Sequence, residues 1–154
     1  MELRFPIEDI RKFAQQYHGV ISERDRRLEE KITNEVFPAY LRDGHLTKDG
    51  FLTVCSWKTP RSRPHCESND SDLIRDVSAL VLTTNSEPLR LQVWTLLAGV
   101  KWPTASVFLH FAFPQSYPIL DFRALWSLET DVPNTIFRCG CPKRVPVSEK
   151  AEQD

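Results

Sequence analysis

The apolar residues of this chain recur every three or four positions and nowhere alternate with polar ones over the length of a strand. That periodicity constrains the fold most, because a repeat of about 3.6 lines one face of a helix while a strand needs a repeat of two. The class it predicts is all-α. Prolines and glycines mark where the helices start and stop. The spacing predicts a first helix from Pro6 to about Tyr17, with Ile7, Ile10, Ala14 and Tyr17 on one face and Gly19 ending it. Ser22 is placed to cap a second helix reaching about Tyr40, with Leu28, Ile32, Val36 and Tyr40 on a stripe. The mixed charges from Glu23 to Lys31 read as its solvated face.

Asp43-Gly44 and Asp49-Gly50 punctuate a turn region, followed by a short helix over Phe51 to Trp57 and a proline-broken loop from Lys58 to Ser68. Asn69 or Ser71 is expected to cap the next helix, which reaches Thr84 and turns Leu73, Val77, Leu80, Val81 and Thr84 inward. Pro88 opens another through Leu91 and Trp94 to Leu97, and Gly99 stops it. Pro103 starts a helix to about Phe113, which Pro114 and Pro118 prevent from continuing. Asp121 then stands at the N-cap of Phe122 to Leu128. These elements make one helical domain over 1–142, with a helical hairpin in 88–128. The polar, aperiodic stretch 143–154 reads as a disordered tail.

A length of 154 residues suits a single core, and 41% hydrophobic with 27% charged residues is ordinary for a globular protein. The formal net charge is -1, which excludes a polycation; any nucleic-acid contact has to come from local basic patches. The N-terminal MELRFPIEDIRKF lacks the apolar run of a signal peptide, so an intracellular, non-secreted protein is expected. The apolar run from Val107 to Phe113 is too short for a bilayer, and no membrane partner is expected. Cys55, Cys66, Cys139 and Cys141 form no paired C-x-x-C knuckles, so the reading is reduced thiols, with no metal and no cofactor.

Residues 96–121 read LLAGVKWPTASVFLHFAFPQSYPILD. Gly99-Val100, Thr104-Ala105 and Ala112-Phe113 fall in the order of a hairpin glycine, a T-A pair and an apolar helix ending in A-F. Asp121 follows a proline-containing loop and opens the next helix. Over 96–128 the chain resembles the helix-hairpin-helix segment of base-excision DNA glycosylases, the superfamily of endonuclease III and 8-oxoguanine glycosylase, as a reduced or truncated member. The resemblance implies a helical bundle with a helix-hairpin-helix motif, double-stranded DNA as partner, and Asp121 as catalytic carboxylate. The four-cysteine iron–sulfur cluster of some members is not expected, since only Cys139 and Cys141 lie downstream.

In such a hairpin, glycine lets backbone amides approach phosphate oxygens, and the next helix N-terminus offers unpaired N–H groups. Gly99, Val100, Lys101, Trp102, Thr104 and Arg123 are therefore the candidate DNA-binding residues. A carboxylate beyond the hairpin would face the sugar of a flipped nucleotide, stabilise the charge that develops there and activate water. Two departures stand out. Lys101 occupies the place of the motif's second glycine, and Pro103 occupies that of the lysine used by glycosylases that also cleave the strand. Without that amine no Schiff base forms there, so a monofunctional N-glycosidic hydrolase is implied.

Each residue also has a plainer role. Asp121 serves equally as a helix cap, Arg123 as a surface ion-pair partner, Trp102 as a packed aromatic, and His110 as a core histidine. Lys58, Arg61 and Arg63 form a loop patch that can track phosphates or simply be solvated. Three functions thus stand open: a glycosidase, a non-catalytic DNA-binding module that kept the hairpin, and a helical protein-interaction domain. No closing helix is evident after Leu128, and Lys101, Pro103 and the short C-terminus favour the second; net charge favours the third.

Overall fold

The computed structural model describes residues 3–129, without the side chain of His18. The described residues are all-α, with no strand among them. In order they form α1 (Asp9–Val20), α2 (Glu23–Lys31), α3 (Phe37–Asp43), α4 (Lys48–Lys58), α5 (Arg63–Glu67), α6 (Ser71–Thr83), α7 (Glu87–Gln92), α8 (Trp102–Ala112) and α9 (Phe122–Ser127). Short 3-10 turns over Pro60–Ser62 and Val93–Leu96 lead into α5 and extend α7.

Local chemistry explains most boundaries. Ser22 caps α2 by accepting from the Asp25 amide, and Thr47 caps α4 by accepting from Gly50. Between α2 and α3 the helix passes through a π-turn over Ile32–Val36, in which the Phe37 amide reaches back to the Ile32 carbonyl. Pro38 has no N–H to offer the Asn34 carbonyl, and the wider turn takes the mismatch without breaking the rod. Gly44 ends α3 at φ 76°, three residues beyond the expected stop.

Three expectations are corrected. Gly19 does not stop α1, which runs through it to Val20; no positive φ occurs there to turn the chain away. The cap of α6 is Asp70, accepting from the Asp72 amide, whereas Asn69 is buried and used elsewhere. The inward face of α6 is Ile74, Val77, Ser78 and Val81, while Leu73 and Leu80 are exposed. Both stripes have helical spacing, and the one that meets α4 is buried.

The core centres on α8, in which Thr104 to Leu109 is buried without interruption. A helix with no solvated face belongs inside a bundle, and α3, α4 and α7 pack around it. Phe108 stacks on Trp94 at 4.3 Å between centroids and on Phe51 at 5.5 Å. Tyr40 donates to the Ser78 carbonyl at 2.7 Å, and the Ser78 hydroxyl accepts from the Leu46 amide at 2.8 Å, so this polar seam is satisfied. Burial pushes the Tyr40 hydroxyl pKa well up. The apolar stripe of α1 (Ile10, Phe13, Tyr17, Val20) stays exposed among the described residues, as does Ile7 just before the helix. No helix among them is long and apolar enough to cross a membrane.

Candidate nucleic-acid interface

The chain turns sharply between α7 with its 3-10 extension and α8. Val100 donates to the Leu97 carbonyl at 3.1 Å, and Gly99 holds φ 80° at the third position of this turn. That is where such a turn calls for glycine. The turn is also pressed against the rest of the molecule. A Cβ on Gly99 would stand 2.6 Å from the Cys66 sulfur, 3.1 Å from the Cys66 amide nitrogen and 3.2 Å from the Ser62 carbonyl oxygen. Glycine is required here twice, for its dihedral and for its missing side chain.

Asn69 holds the turn in place. Its carboxamide oxygen accepts from the Ala98 amide at 2.7 Å, and its nitrogen donates to the carbonyls of Ala98 and Cys66, each at 2.9 Å. One side chain thus does for the turn what a ladder of backbone bonds does in a sheet. Asn69→Ala takes the side-chain partner from the Ala98 amide and carbonyl and is expected to cost about 2 kcal/mol. Urea denaturation checks this, and a loss under about 0.5 kcal/mol would show that water replaces the amide freely.

The candidate residues divide by depth. Val100, Trp102 and Thr104 are buried, so their side chains do not reach a strand lying outside the turn. Lys101 and Arg123 are exposed. Gly99 and Thr104 line a cavity of about 180 Å³, together with Lys101, Pro103, Lys58, Thr59 and Ser62. Trp102 is thereby a packed aromatic. Its position at the start of an apolar helix signals this, since the burial of α8 begins with it.

Asp121 caps α9 by accepting from the Arg123 amide at 2.9 Å, and its other oxygen meets the Lys58 ammonium at 2.9 Å. Lys58 is the last residue of α4 rather than part of a loop, and it lines the same cavity as the turn. The expected basic patch is accordingly divided. Lys58 faces Asp121, Arg61 is exposed, and Arg63 pairs with Glu67 and donates to the Ser56 hydroxyl at 3.0 Å. His110 bonds the Tyr117 carbonyl through Nδ1 at 2.8 Å from the half-buried flank of α8.

Partial burial raises the Asp121 pKa, but the Arg123 amide and the Lys58 ammonium outweigh it and hold the carboxyl below its usual 3.8. It is ionised at neutral pH. A carboxyl whose folded value is depressed stabilises the fold above the unfolded value and loses that contribution as pH falls through the folded one. Asp121→Asn keeps a good cap, so it isolates the ion pair. With the aspartate side chain 34% exposed, solvent screening limits the expected cost to about 1 kcal/mol at pH 7. The gap between wild type and variant should close as pH falls below about 4. A gap of the same size at pH 7 and pH 2 would remove the ion pair as its cause.

Among the described residues no group of three or more His, Cys, Asp or Glu converges as metal ligands do. Cys139 and Cys141 lie outside the described residues. Cys55 and Cys66 are buried free thiols, and burial raises both pKa values, so neither is a ready nucleophile. No family model, curated protein or solved structure matches this chain.

Sequence reasoning missed Asn69, Cys66 and Ser62 as parts of the turn, and missed Lys58 as the partner of Asp121. The contacts of Asn69 with Ala98 and of Lys58 with Asp121 span 29 and 63 positions, and no local pattern encodes such distances.

Proposed function

We propose that this protein binds double-stranded DNA in the manner of helix-hairpin-helix glycosylases and uses Asp121 to hydrolyse an N-glycosidic bond. One observation carries the reading: Lys58 lines the cavity beside the Gly99–Thr104 turn and holds the Asp121 carboxylate at 2.9 Å. Lys58 thus links the carboxylate to the cavity beside the turn, which Asp121 itself does not line. Lys101 at the exposed edge supplies charge for a phosphate, and the first turn of α8 supplies a dipole end of the same sign.

An ionised carboxylate facing the sugar stabilises the oxocarbenium-like charge as the bond to the base breaks and its electron pair leaves with the base. Water then adds at the sugar carbon and gives its proton to the carboxylate. Pro103 offers no amine for a covalent intermediate at its position, so strand cleavage is not part of the proposed reaction.

The non-catalytic reading has its own support. Asp121 is already engaged by an amide and an ammonium, and the adjoining cavity of about 180 Å³ is below the range of about 300–1,000 Å³ usual for small-molecule sites. The test is base release from duplexes containing uracil, alkylated purines or mismatches, run beside salt-dependent duplex binding. Catalysis predicts abasic sites whose yield falls about 100-fold or more in Asp121→Asn while binding persists. Binding that weakens in Lys101→Glu, with no abasic product from any duplex, assigns the non-catalytic module. Absence of duplex binding at low salt defeats both.

A further inference from the structure

A cavity of about 650 Å³ lies away from the turn, in the cleft between α2 and α4. That volume falls within the range of small-molecule sites. Arg24, Arg27, Lys31 and Arg63 line it against two acids, Glu23 and Asp49, so its wall is net positive in a chain of net charge -1. Leu28 and Leu52 give it an apolar strip.

The cations are not scattered. Arg24 donates to the Ser56 carbonyl at 3.3 Å and Arg63 to the Ser56 hydroxyl at 3.0 Å, so two guanidinium groups from different helices converge on one buried residue. Each is held by an acid of its own helix through one nitrogen, Arg24 by Asp25 at 3.2 Å and Arg63 by Glu67 at 2.7 Å, in pairs that are about half exposed. The other two ion pairs of the cleft, Arg27–Glu23 and Lys31–Asp49, are superficial. Glu23 and Asp49 side chains are 76% and 83% exposed, and pairs of that kind are weak enough to exchange for a better acceptor. Two guanidinium forks match a phosphate, which accepts several charge-assisted bonds at once.

We infer that the α2–α4 cleft is a binding site for a small phosphomonoester of mononucleotide size, with its phosphate at Arg24 and Arg63 and its flat apolar body along Leu28 and Leu52. The site is separate from the turn and from Asp121, and does not depend on the glycosidase reading.

Calorimetric titration of the full chain with adenosine monophosphate, and with adenosine, tests it. The nucleotide is expected to bind with a Kd below about 1 mM, and adenosine at least about tenfold more weakly. The double substitution Arg24→Ala and Arg63→Ala should weaken the nucleotide at least about tenfold, since both phosphate forks are gone. Arg11→Ala, which removes an exposed charge from α1, should leave it unchanged. If the double variant fails to fold, Lys31→Glu at the far end of α2 is expected to weaken the nucleotide in the same direction. No binding of the nucleotide, equal binding of adenosine, or undiminished affinity in the folded variants overturns the inference. So does a loss of duplex-DNA affinity in those variants without any mononucleotide binding, which would give the cleft to a nucleic-acid backbone.

Discussion

Gly99→Ala is expected to lower the free energy of unfolding by about 3 kcal/mol or more. Two costs combine. A residue with a Cβ at φ 80° meets a backbone penalty of roughly 1–2 kcal/mol. The added methyl then lies 2.6 Å from the Cys66 sulfur and 3.1 Å from the Cys66 backbone nitrogen, and overpacking of a close-packed site costs about 1–3 kcal/mol more. The sulfur belongs to a fully buried side chain and has little room to retreat. Gly44→Ala is the control, because Gly44 has the same left-handed backbone (φ 76°) with nothing within 4 Å of its Cβ position. It should show the backbone penalty alone. Urea unfolding midpoints for the two variants measure the difference, and equal losses would dismiss the clash against α5. Where the turn carries DNA contacts, Gly99→Ala should also weaken duplex binding at temperatures where it remains folded.

Phe108→Ala should be at least as damaging, at about 3–5 kcal/mol. Phe108 is fully buried and lies between two rings, with Trp94 at 4.3 Å and an interplanar angle of 13°, and Phe51 at 5.5 Å and 9°. Its removal withdraws packing from both, and the Trp94 indole N–H has no hydrogen-bond partner among the described residues. Domains of this size are stable by about 5–15 kcal/mol, so the variant should be close to unfolding at physiological temperature. Thermal denaturation followed by far-ultraviolet circular dichroism reads this directly. A loss below about 1.5 kcal/mol would mean that the neighbouring rings collapse into the space, and that the α8 core is far softer than its packing indicates.

The parts of the molecule legible in sequence are those governed by neighbours a few positions apart. Ser22 before α2 and Asp121 before α9 follow from one side chain acting on its own turn of backbone, whereas the helix expected from Phe51 begins at Lys48 and takes in the Asp49-Gly50 pair expected as a turn. Glycine at position 99 was legible as the residue that ends the preceding helix, whereas its close contact with Cys66 was not. On α6 the expected inward face held for Val77 and Val81 and failed for Leu73 and Leu80, which are exposed. A lone helix carries no information about which face its neighbours will cover.

Periodicity and punctuation, acting over single turns of chain, therefore determined by themselves that this protein is helical and where most helices begin. Which face of α6 is covered, why Asn69 is buried, and that Lys58 rather than solvent meets Asp121 were decided only by tertiary structure. Those outcomes depend on groups 29 and 63 positions apart being brought within hydrogen-bond reach, and only the packing of whole helices brings them there.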